Sequence, residues 1–362
     1  MNKKIYLLAV AITTLLYACK KNDVTVQPPK ADSATGLYIL TEGSFNSNNA
    51  NLSFYNVKTQ QVNTNIFKTA NNRDLGDVAN DLGIYGSKMY IVVNNSNSIE
   101  ILDAHTVKSI KHIDLKDASF PDGYQPRRIA FANGKAYVTT YVGKLLVIDT
   151  ASNAIIQYAD TRVGCEGIAI TNNKAYISVP GVYPNTGQTI LSILDLGTLQ
   201  ELKTITVGSN PGPVLADQYH HLYVVCAGDY ATIPSSLSTI NLQNDQLQSN
   251  DTTVQADNMA IYYNKAYLYK TTYLDDSKQN IITYDVEHAK VINRNFITDG
   301  TAIHFYYGIT TDEATGDVYV IDALSFTSSS AKVTCFDANG KTKFSFELPD
   351  YASFASKIAF LR

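Results

Sequence analysis

One pattern of about 46 residues recurs seven times along this chain and constrains the fold more than any other feature. In every copy except the first, a short apolar strand and a polar turn precede a second strand that carries a tyrosine; the first copy begins with that second strand. These tyrosines are Tyr38, Tyr90, Tyr137, Tyr176, Tyr223, Tyr267 and Tyr319. In the clearest copies the turn is Asn133-Gly134 or Asn172-Asn173. Because Asn and Gly accept positive φ angles, each copy predicts a β-hairpin.

A second landmark follows each tyrosine, where an apolar strand ends in aspartate or asparagine. These residues are Asn56, Asp103, Asp149, Asp195, Asn241, Asp285 and Asp337. Short Asp and Asn side chains accept hydrogen bonds from nearby backbone N–H groups, so we interpret them as turn formers and not as catalytic acids. A fourth strand follows each turn. Four strands in every copy are typical of a β-propeller blade.

The ends of the repeat region predict how the ring closes. Gly36–Leu40 has the pattern of a second strand with no first strand before it, and Lys357–Leu361 has that of a first strand with no second strand after it. We therefore expect the C-terminal strand to complete the first blade, which removes two exposed sheet edges. The predicted fold is all-β: a seven-bladed β-propeller over residues 36–362, with four-stranded blades.

The first 18 residues have the features of an export signal. Lys3 and Lys4 precede a 14-residue apolar stretch, which is shorter than the ~20 residues of a transmembrane helix. It ends in Leu16-Tyr17-Ala18-Cys19, which resembles the lipobox that bacterial lipoprotein signal peptidase cleaves before an acylated cysteine. We predict a lipoprotein signal peptide at 1–18, lipidation of Cys19, and a flexible tether over 19–35 that reaches at most ~55 Å. An ordinary secretory signal is the alternative.

Composition excludes two classes of protein. The net charge is −4 and becomes more negative if Lys3 and Lys4 are removed, whereas a nucleic-acid binder needs a basic face. Charged residues are 17% and hydrophobic residues 45%, so the chain is not disordered. Besides Cys19 there are three cysteines without metal-site spacing. We predict that they are small buried side chains, with a Cys165–Cys226 disulfide as the alternative.

The repeat Ile-Ala…Asn-Gly-Lys-Ala-Tyr-Val…Val-Ile-Asp resembles that of the YVTN/YncE-like seven-bladed propellers over residues 36–362. The first blade adds Leu40–Asn46 and Asn51–Tyr55, which look like a segment of Bacteroides-group propeller lipoproteins. The best understood members of that group bind cobamides (vitamin B12) at the cell surface, over a TonB-dependent outer-membrane transporter. This resemblance implies an outer-membrane lipoprotein, at the cell surface or in the periplasmic leaflet, that captures a nutrient for such a transporter, with cobamide first among ligands.

Two sets of loops are expected to share one face of the propeller. The loops between second and third strands place an aromatic residue at a similar position in six blades: Phe45, Tyr141, Tyr183, Tyr230, Tyr273 and Phe326. Their neighbours are Gly, Pro, Asn and Ser, which indicates loops, although packing between blades is the alternative. A ring of aromatic side chains predicts binding of a large flat or sugar-like ligand, or of a partner protein.

The second set of loops lies directly before the first strands and supplies polar groups to the mouth of the central channel. These residues are Asn80, Asp81, Arg127, Arg128, Glu166, Asp257, Asn258, Tyr307 and Lys357. Mixed donors and acceptors suit a ligand with amides and a phosphate. The oxygen atoms of Asp81, Glu166, Asp257 and Asn258 could instead hold Ca²⁺, as in lactonase-type propellers. Arg127, Arg128 and Lys357 would oppose a dication there.

Catalytic motifs are lacking in the sequence. It contains no Gly-x-Ser-x-Gly and no His-Glu-x-x-His. The adjacent pair His220-His221 fits a hairpin, because neighbouring strand residues point to opposite faces and cannot chelate one metal. We predict a membrane-anchored binding propeller with no catalytic residues, metal or cofactor. A Ca-dependent lactonase-like hydrolase and a protein-protein interaction scaffold are the alternatives.

Overall fold

The computed structural model describes residues 31–183, 185–229, 231–271, 280–325, 327–349 and 354–362. Within these ranges, 28 strands form seven antiparallel sheets of four strands each, which confirms the predicted propeller. The predicted signal peptide, Cys19 and residues 20–30 of the tether lie outside the described residues. No helix in these ranges is long and apolar enough to cross a membrane.

Each blade runs from an inner strand at the central channel to an outer strand at the rim. Blade 1 consists of β28 (Ala355–Leu361), β1 (Gly36–Thr41), β2 (Asn51–Asn56) and β3 (Gln61–Asn63). Blade 2 consists of β4 (Ala79–Tyr85), β5 (Lys88–Val93), β6 (Ser98–Asp103) and β7 (Ser109–Asp114). Blade 3 consists of β8 (Pro126–Ala132), β9 (Lys135–Thr140), β10 (Lys144–Asp149) and β11 (Ala154–Asp160).

The remaining blades repeat this order. Blade 4 consists of β12 (Ile168–Thr171), β13 (Lys174–Val179), β14 (Ile190–Asp195) and β15 (Glu201–Thr206). Blade 5 consists of β16 (Pro211–Ala216), β17 (His221–Cys226), β18 (Ser236–Asn241) and β19 (Gln246–Asp251). Blade 6 consists of β20 (Asn258–Tyr262), β21 (Lys265–Tyr269), β22 (Ile281–Asp285) and β23 (Lys290–Asn293). Blade 7 consists of β24 (Tyr306–Thr311), β25 (Val318–Asp322), β26 (Ala331–Phe336) and β27 (Thr342–Leu348).

A short helix that the repeat pattern does not predict lies between blades 1 and 2. It is α1 (Ile66–Asn71), and its Phe67 is buried in the apolar core that these two blades share.

The repeated tyrosines all lie in the second strand of their blade and are buried. Three of them bond to the next blade through the phenol hydroxyl. Tyr38 donates to the carbonyl of Ala104 at 2.5 Å, and Tyr223 donates to that of Val286 at 2.9 Å. Tyr176 donates to Oδ1 of Asp245 at 2.6 Å. The tyrosine therefore recurs because it fills the space between blades and also ties one blade to the next.

The seven Asp and Asn residues at the ends of the third strands are turn formers, as predicted. Asp103 Oδ1, for example, accepts a hydrogen bond from the backbone N–H of Thr106 at 2.8 Å. Asp195 Oδ1 accepts one from that of Thr198, also at 2.8 Å. Equivalent bonds occur at the other five positions. These side-chain oxygens thus fix the turns between third and fourth strands.

The ring closes as predicted, through the C-terminal strand. β28 pairs antiparallel with β1 in a register that places Gly36 opposite Leu361 and Thr41 opposite Ala355. The predictions for the internal cysteines and the histidine pair are also confirmed. Cys165, Cys226 and Cys335 are buried free thiols, so the alternative Cys165–Cys226 disulfide is wrong. His221 begins β17 directly after the hairpin turn.

Candidate functional site

The two predicted sets of loops meet on one face of the ring, which we call the mouth face. The N–H of Ala79, at the start of β4, donates to the carbonyl of Glu42 in the β1–β2 loop at 3.0 Å. The N–H of Asn94, in the β5–β6 loop, donates to the carbonyl of Val78 at 2.7 Å. The opposite face, the lower face, carries the turns between first and second and between third and fourth strands.

A cavity of about 630 Å³ opens at the channel on the mouth face. Apolar side chains of the inner strands, such as Ile129, Ile168 and Met259, form part of its wall. Seven of the nine predicted polar residues also line it: Asp81, Arg128, Glu166, Asp257, Asn258, Tyr307 and Lys357. Asn80 and Arg127 lie beside it and contact residues of the lining.

Local irregularities in the inner strands place several of these side chains. The pairing of β4 with β5 shifts register between Ala79 and Asp81, and that of β8 with β9 shifts between Pro126 and Ile129. β24 shifts likewise on either side of Tyr307. A β-bulge inserts an extra residue that bends the strand and redirects its side chain. The bulges therefore lie where the polar residues meet the channel.

Glu166 forms a buried ion-pair cluster with two arginines. Its Oε2 lies 2.6 Å from Nε of Arg127, and its Oε1 lies 2.8 Å from a terminal nitrogen of Arg128. Burial alone would raise the pKa of the Glu166 carboxyl, but the two guanidinium groups outweigh it and lower that pKa to about 2. The guanidinium of Arg127 also lies over the ring of Tyr141, 4.4 Å from its centroid. The cluster thus fixes the three residues that blades 3 and 4 present at the mouth.

The other two predicted carboxylates at the mouth also have cationic partners. Asp81 Oδ1 lies 3.4 Å from Nζ of Lys357, and its Oδ2 accepts the N–H of Ile129 at 3.0 Å. Asp257 Oδ1 lies 2.5 Å from Nζ of Lys270. In the part of the chain that the structure describes, no three His, Cys, Asp or Glu side chains lie where they could hold a metal ion together. The mouth is therefore rich in charges that largely cancel.

Glu42 belongs to the same site, although sequence reasoning missed it as a binding residue. It directly follows β1, lines the cavity, and accepts a hydrogen bond from the hydroxyl of Tyr307 at 3.2 Å. Burial raises the pKa of its carboxyl, against the opposing effect of Arg128. The available signal was its position in the Thr41-Glu42-Gly43 segment of the first blade.

The predicted aromatic residues divide into three groups. Tyr141 is partly buried beneath Arg127 at the mouth. Phe45 and Tyr183 stand in loops of the mouth face with 67% and 90% of their surface exposed, so neither is packed between blades. Tyr230, Tyr273 and Phe326 lie outside the described residues. A further ring at the mouth was not predicted: Phe354 packs on Tyr307 with their ring centroids 5.5 Å apart.

Asp77 holds the loop that presents Phe45. Its Oδ2 accepts a hydrogen bond from the backbone N–H of Ser47 at 2.7 Å, and its Oδ1 accepts one from Nδ2 of Asn95 at 3.0 Å. Asn95 Nδ2 also donates to Asn46 Oδ1 at 3.0 Å. Phe45 is thus exposed on a segment fixed by hydrogen bonds to blade 2, which is the arrangement of a preorganised contact residue.

Comparisons with known proteins agree with the observed fold and identify one protein family. A family model described as "Domain of unknown function (DUF5074)" matches residues 35–361. No curated protein matches the chain. The finer resemblances to YncE-like and cobamide-binding propellers stay predictions.

Solved structures of similar fold come from proteins of several kinds. Dihydro-heme d1 dehydrogenase NirN in complex with DHE is 12% identical, with a TM-score of 0.60 over 92% of this chain and 77% of that one. Kuenenia stuttgartiensis hydrazine synthase is 16% identical, with a TM-score of 0.58 over 70% and 74%. BamB from Moraxella catarrhalis is 15% identical, with a TM-score of 0.51 over 87% and 84%. At these identities the likeness is one of fold alone.

Proposed function

The chain belongs to the DUF5074 family, and we propose that it is a non-catalytic binding propeller that takes a net-neutral, amide-rich small molecule into its mouth cavity. The observation that carries this proposal is the pairing of charges around the cavity. Asp81, Glu166 and Asp257 each have a cationic partner. A mouth built in this way offers many hydrogen-bonding groups and only a weak net electrostatic field.

The chemistry of the ligand follows from that balance. A strongly anionic ligand gains little from a site whose positive charges are mostly paired, because four cations face three carboxylates and, when it is ionised, Glu42 as well. An amide carries both a donor and an acceptor, so several amides can use the mixed groups around the ring. The cavity of about 630 Å³ is within the usual range of ~300–1,000 Å³ for ligand pockets. A larger ligand would extend over the mouth face towards Phe45 and Tyr183.

A cobamide meets this description and is the first ligand to test. It carries several amides, and its single phosphate is balanced by the charge of the metal-corrin unit. Through the resemblance of the first blade, we further propose capture of this nutrient for a TonB-dependent transporter. The lipobox before Cys19 supports an outer-membrane lipoprotein, with the cell surface favoured over the periplasmic leaflet.

Calorimetric titration with cobalamin tests the ligand and its site together. Lys357 lines the cavity, whereas Lys58 lies in the β2–β3 turn on the lower face, so the two form a matched pair of charge removals. We expect Lys357→Ala to weaken binding about tenfold and Lys58→Ala to leave it unchanged. Binding should also change little between low and high salt.

Two results would contradict the proposal. Absence of both heat and a melting shift with cobalamin would reject that ligand. An affinity that falls steeply with salt would reject the net-neutral site, whichever ligand binds. The calcium-dependent hydrolase gains no support from the geometry, because its supposed carboxylate ligands already contact lysine or arginine.

A protein-interaction scaffold remains the second candidate, and the exposed Phe45 favours it. Truncating an aromatic anchor typically costs ~1–4 kcal/mol of binding free energy. If Phe45→Ala abolishes retention of a transporter on an affinity column while cobalamin binding persists, the exposed ring serves the partner and not the ligand.

A further inference from the structure

The described N-terminal residues reach the propeller on its lower face, away from the mouth. The N–H of Thr35 donates to the carbonyl of Leu361 at 2.7 Å, and the carbonyl of Thr35 accepts the N–H of Val57 from the β2–β3 turn at 3.2 Å. The guanidinium of Arg362 contacts the carbonyl of Asp32. Residues 32–35 are therefore held against the end of β28 and the lower turns of blade 1.

From this attachment we propose that the lower face of the propeller is its membrane-facing surface, and that the mouth is presented away from the anchoring membrane. The inference rests on the proposed lipid anchor at Cys19. It adds to the proposed function the direction from which a ligand enters and from which a partner must approach.

The length of the connecting segment favours one of the two orientations. Twelve residues, 20–31, separate Cys19 from Asp32, and the thirteen steps between these two Cα atoms, at ~3.6 Å each, span at most about 47 Å. With the lower face towards the bilayer, almost none of this length is needed. With the mouth towards the bilayer, the segment must first pass outward beyond β2 and β3, about 10 Å at the usual strand spacing.

The connecting segment must then run along the side of the blade to the mouth face. Strands of six residues, such as β1 and β2, are ~20 Å long, and the loops at both ends add to that height. The inverted orientation would therefore consume most of the available reach and the conformational freedom that goes with it. The mouth-outward orientation carries no such cost.

The two faces also differ in the side chains that they present. The lower turn of blade 3 consists of small or polar residues, Thr150-Ala151-Ser152-Asn153, and the lower turn of blade 1 exposes one apolar side chain, Val57. The mouth face carries the exposed rings of Phe45 and Tyr183. A transporter in the anchoring membrane that receives the ligand must then contact the mouth face with parts that project at least ~20 Å from the bilayer, the length of the strands.

Energy transfer from the protein to the lipid surface tests the orientation. The mature chain is coupled through Cys19 to a maleimide lipid in vesicles that contain an acceptor-labelled lipid, which bypasses bacterial acylation. The internal thiols are buried and should not react. A donor dye is placed, through a clickable amino acid, at Phe45 on the mouth face or at Lys58 on the lower face of the same blade. A donor dye at Tyr183 provides a second labelled position on the mouth face.

We expect more efficient transfer from position 58 than from 45 or 183 at every acceptor density. Equal or reversed efficiencies would overturn the proposal. Chain without the lipid should show no transfer from any position, which excludes adsorption to the vesicles. No ligand is present, so this outcome is independent of the cobalamin titration that tests the proposed function.

Discussion

Two tyrosines at equivalent positions should differ in how much stability they lose when their hydroxyl is removed. Tyr176 and Tyr90 lie in the second strands of blades 4 and 2, and both are fully buried. The hydroxyl of Tyr176 bonds to the carboxylate of Asp245 in the next blade at 2.6 Å. The hydroxyl of Tyr90 is buried without a hydrogen-bond partner among the described residues. Substitution by phenylalanine removes the same atom in each case.

The expected magnitudes follow from these contacts. A hydrogen bond to a charged group contributes ~1.5–3 kcal/mol, and Asp245 would keep only Lys174 as a side-chain partner. We therefore expect Tyr176→Phe to lower the free energy of unfolding by about 2 kcal/mol and the melting temperature by roughly 3–6 °C. Burying a hydroxyl without a partner is itself unfavourable, so Tyr90→Phe should be neutral or slightly stabilising.

Urea unfolding followed by far-UV circular dichroism measures both variants against the wild type. Equal slopes with different midpoints would assign the difference to stability and not to a change in the denatured state. If Tyr90→Phe loses as much stability as Tyr176→Phe, the contact with Asp245 is not what distinguishes them. The account of tyrosines as ties between blades would then be wrong.

Deletion of residues 355–362 should leave the inner edge of β1 unpaired and cause aggregation or a large fall in melting temperature; a truncated protein that melts like the full chain would contradict the closure. Glu166→Gln should destabilise the protein at pH 7 by about 3 kcal/mol, because the folded-state pKa of Glu166, about 2, lies below the ordinary value of 4.5. The ionised carboxyl stabilises the fold at neutral pH, and this contribution is lost as the pH falls from about 5 to about 2, so the two proteins should converge in acid unfolding curves. Cys19→Ser should move the protein from the membrane to the soluble fraction, since acyl chains supply most of the membrane affinity; unchanged fractionation would reject the lipid anchor.

The blade count could be predicted because its signals are local. The turn at Asn133-Gly134 requires positive φ angles, which both residues adopt, and Asp103 fixes its turn with N–H groups of the same turn. Such signals depend on neighbours within a few residues. They can therefore be recognised in the sequence without knowledge of the rest of the fold.

The electrostatic state of the mouth could not be predicted in the same way. The sequence places Arg127, Arg128 and Glu166 near the channel, but the pairing of residues 38 or 39 positions apart depends on how two blades pack. Glu42 was missed because its partner, Tyr307, is 265 residues away. The bulges at Asn80 and Tyr307 likewise lie at the channel rim, where strand pairing is interrupted. No turn-forming residue marks these positions in the sequence.

Closure of the ring by β28 also determines the order in which the blades can be completed during synthesis. Thr35 and Leu361 are 326 residues apart, so their contact costs only about 2 kcal/mol more loop-closure entropy than one within a single repeat. The delay matters more than this cost. At ~5–20 residues per second, β1 waits about 15–65 s for the strand that covers its inner edge. Blade 1 is thus the first to be made and the last to be completed, and during that interval it is the part of the ring most open to pairing with another chain.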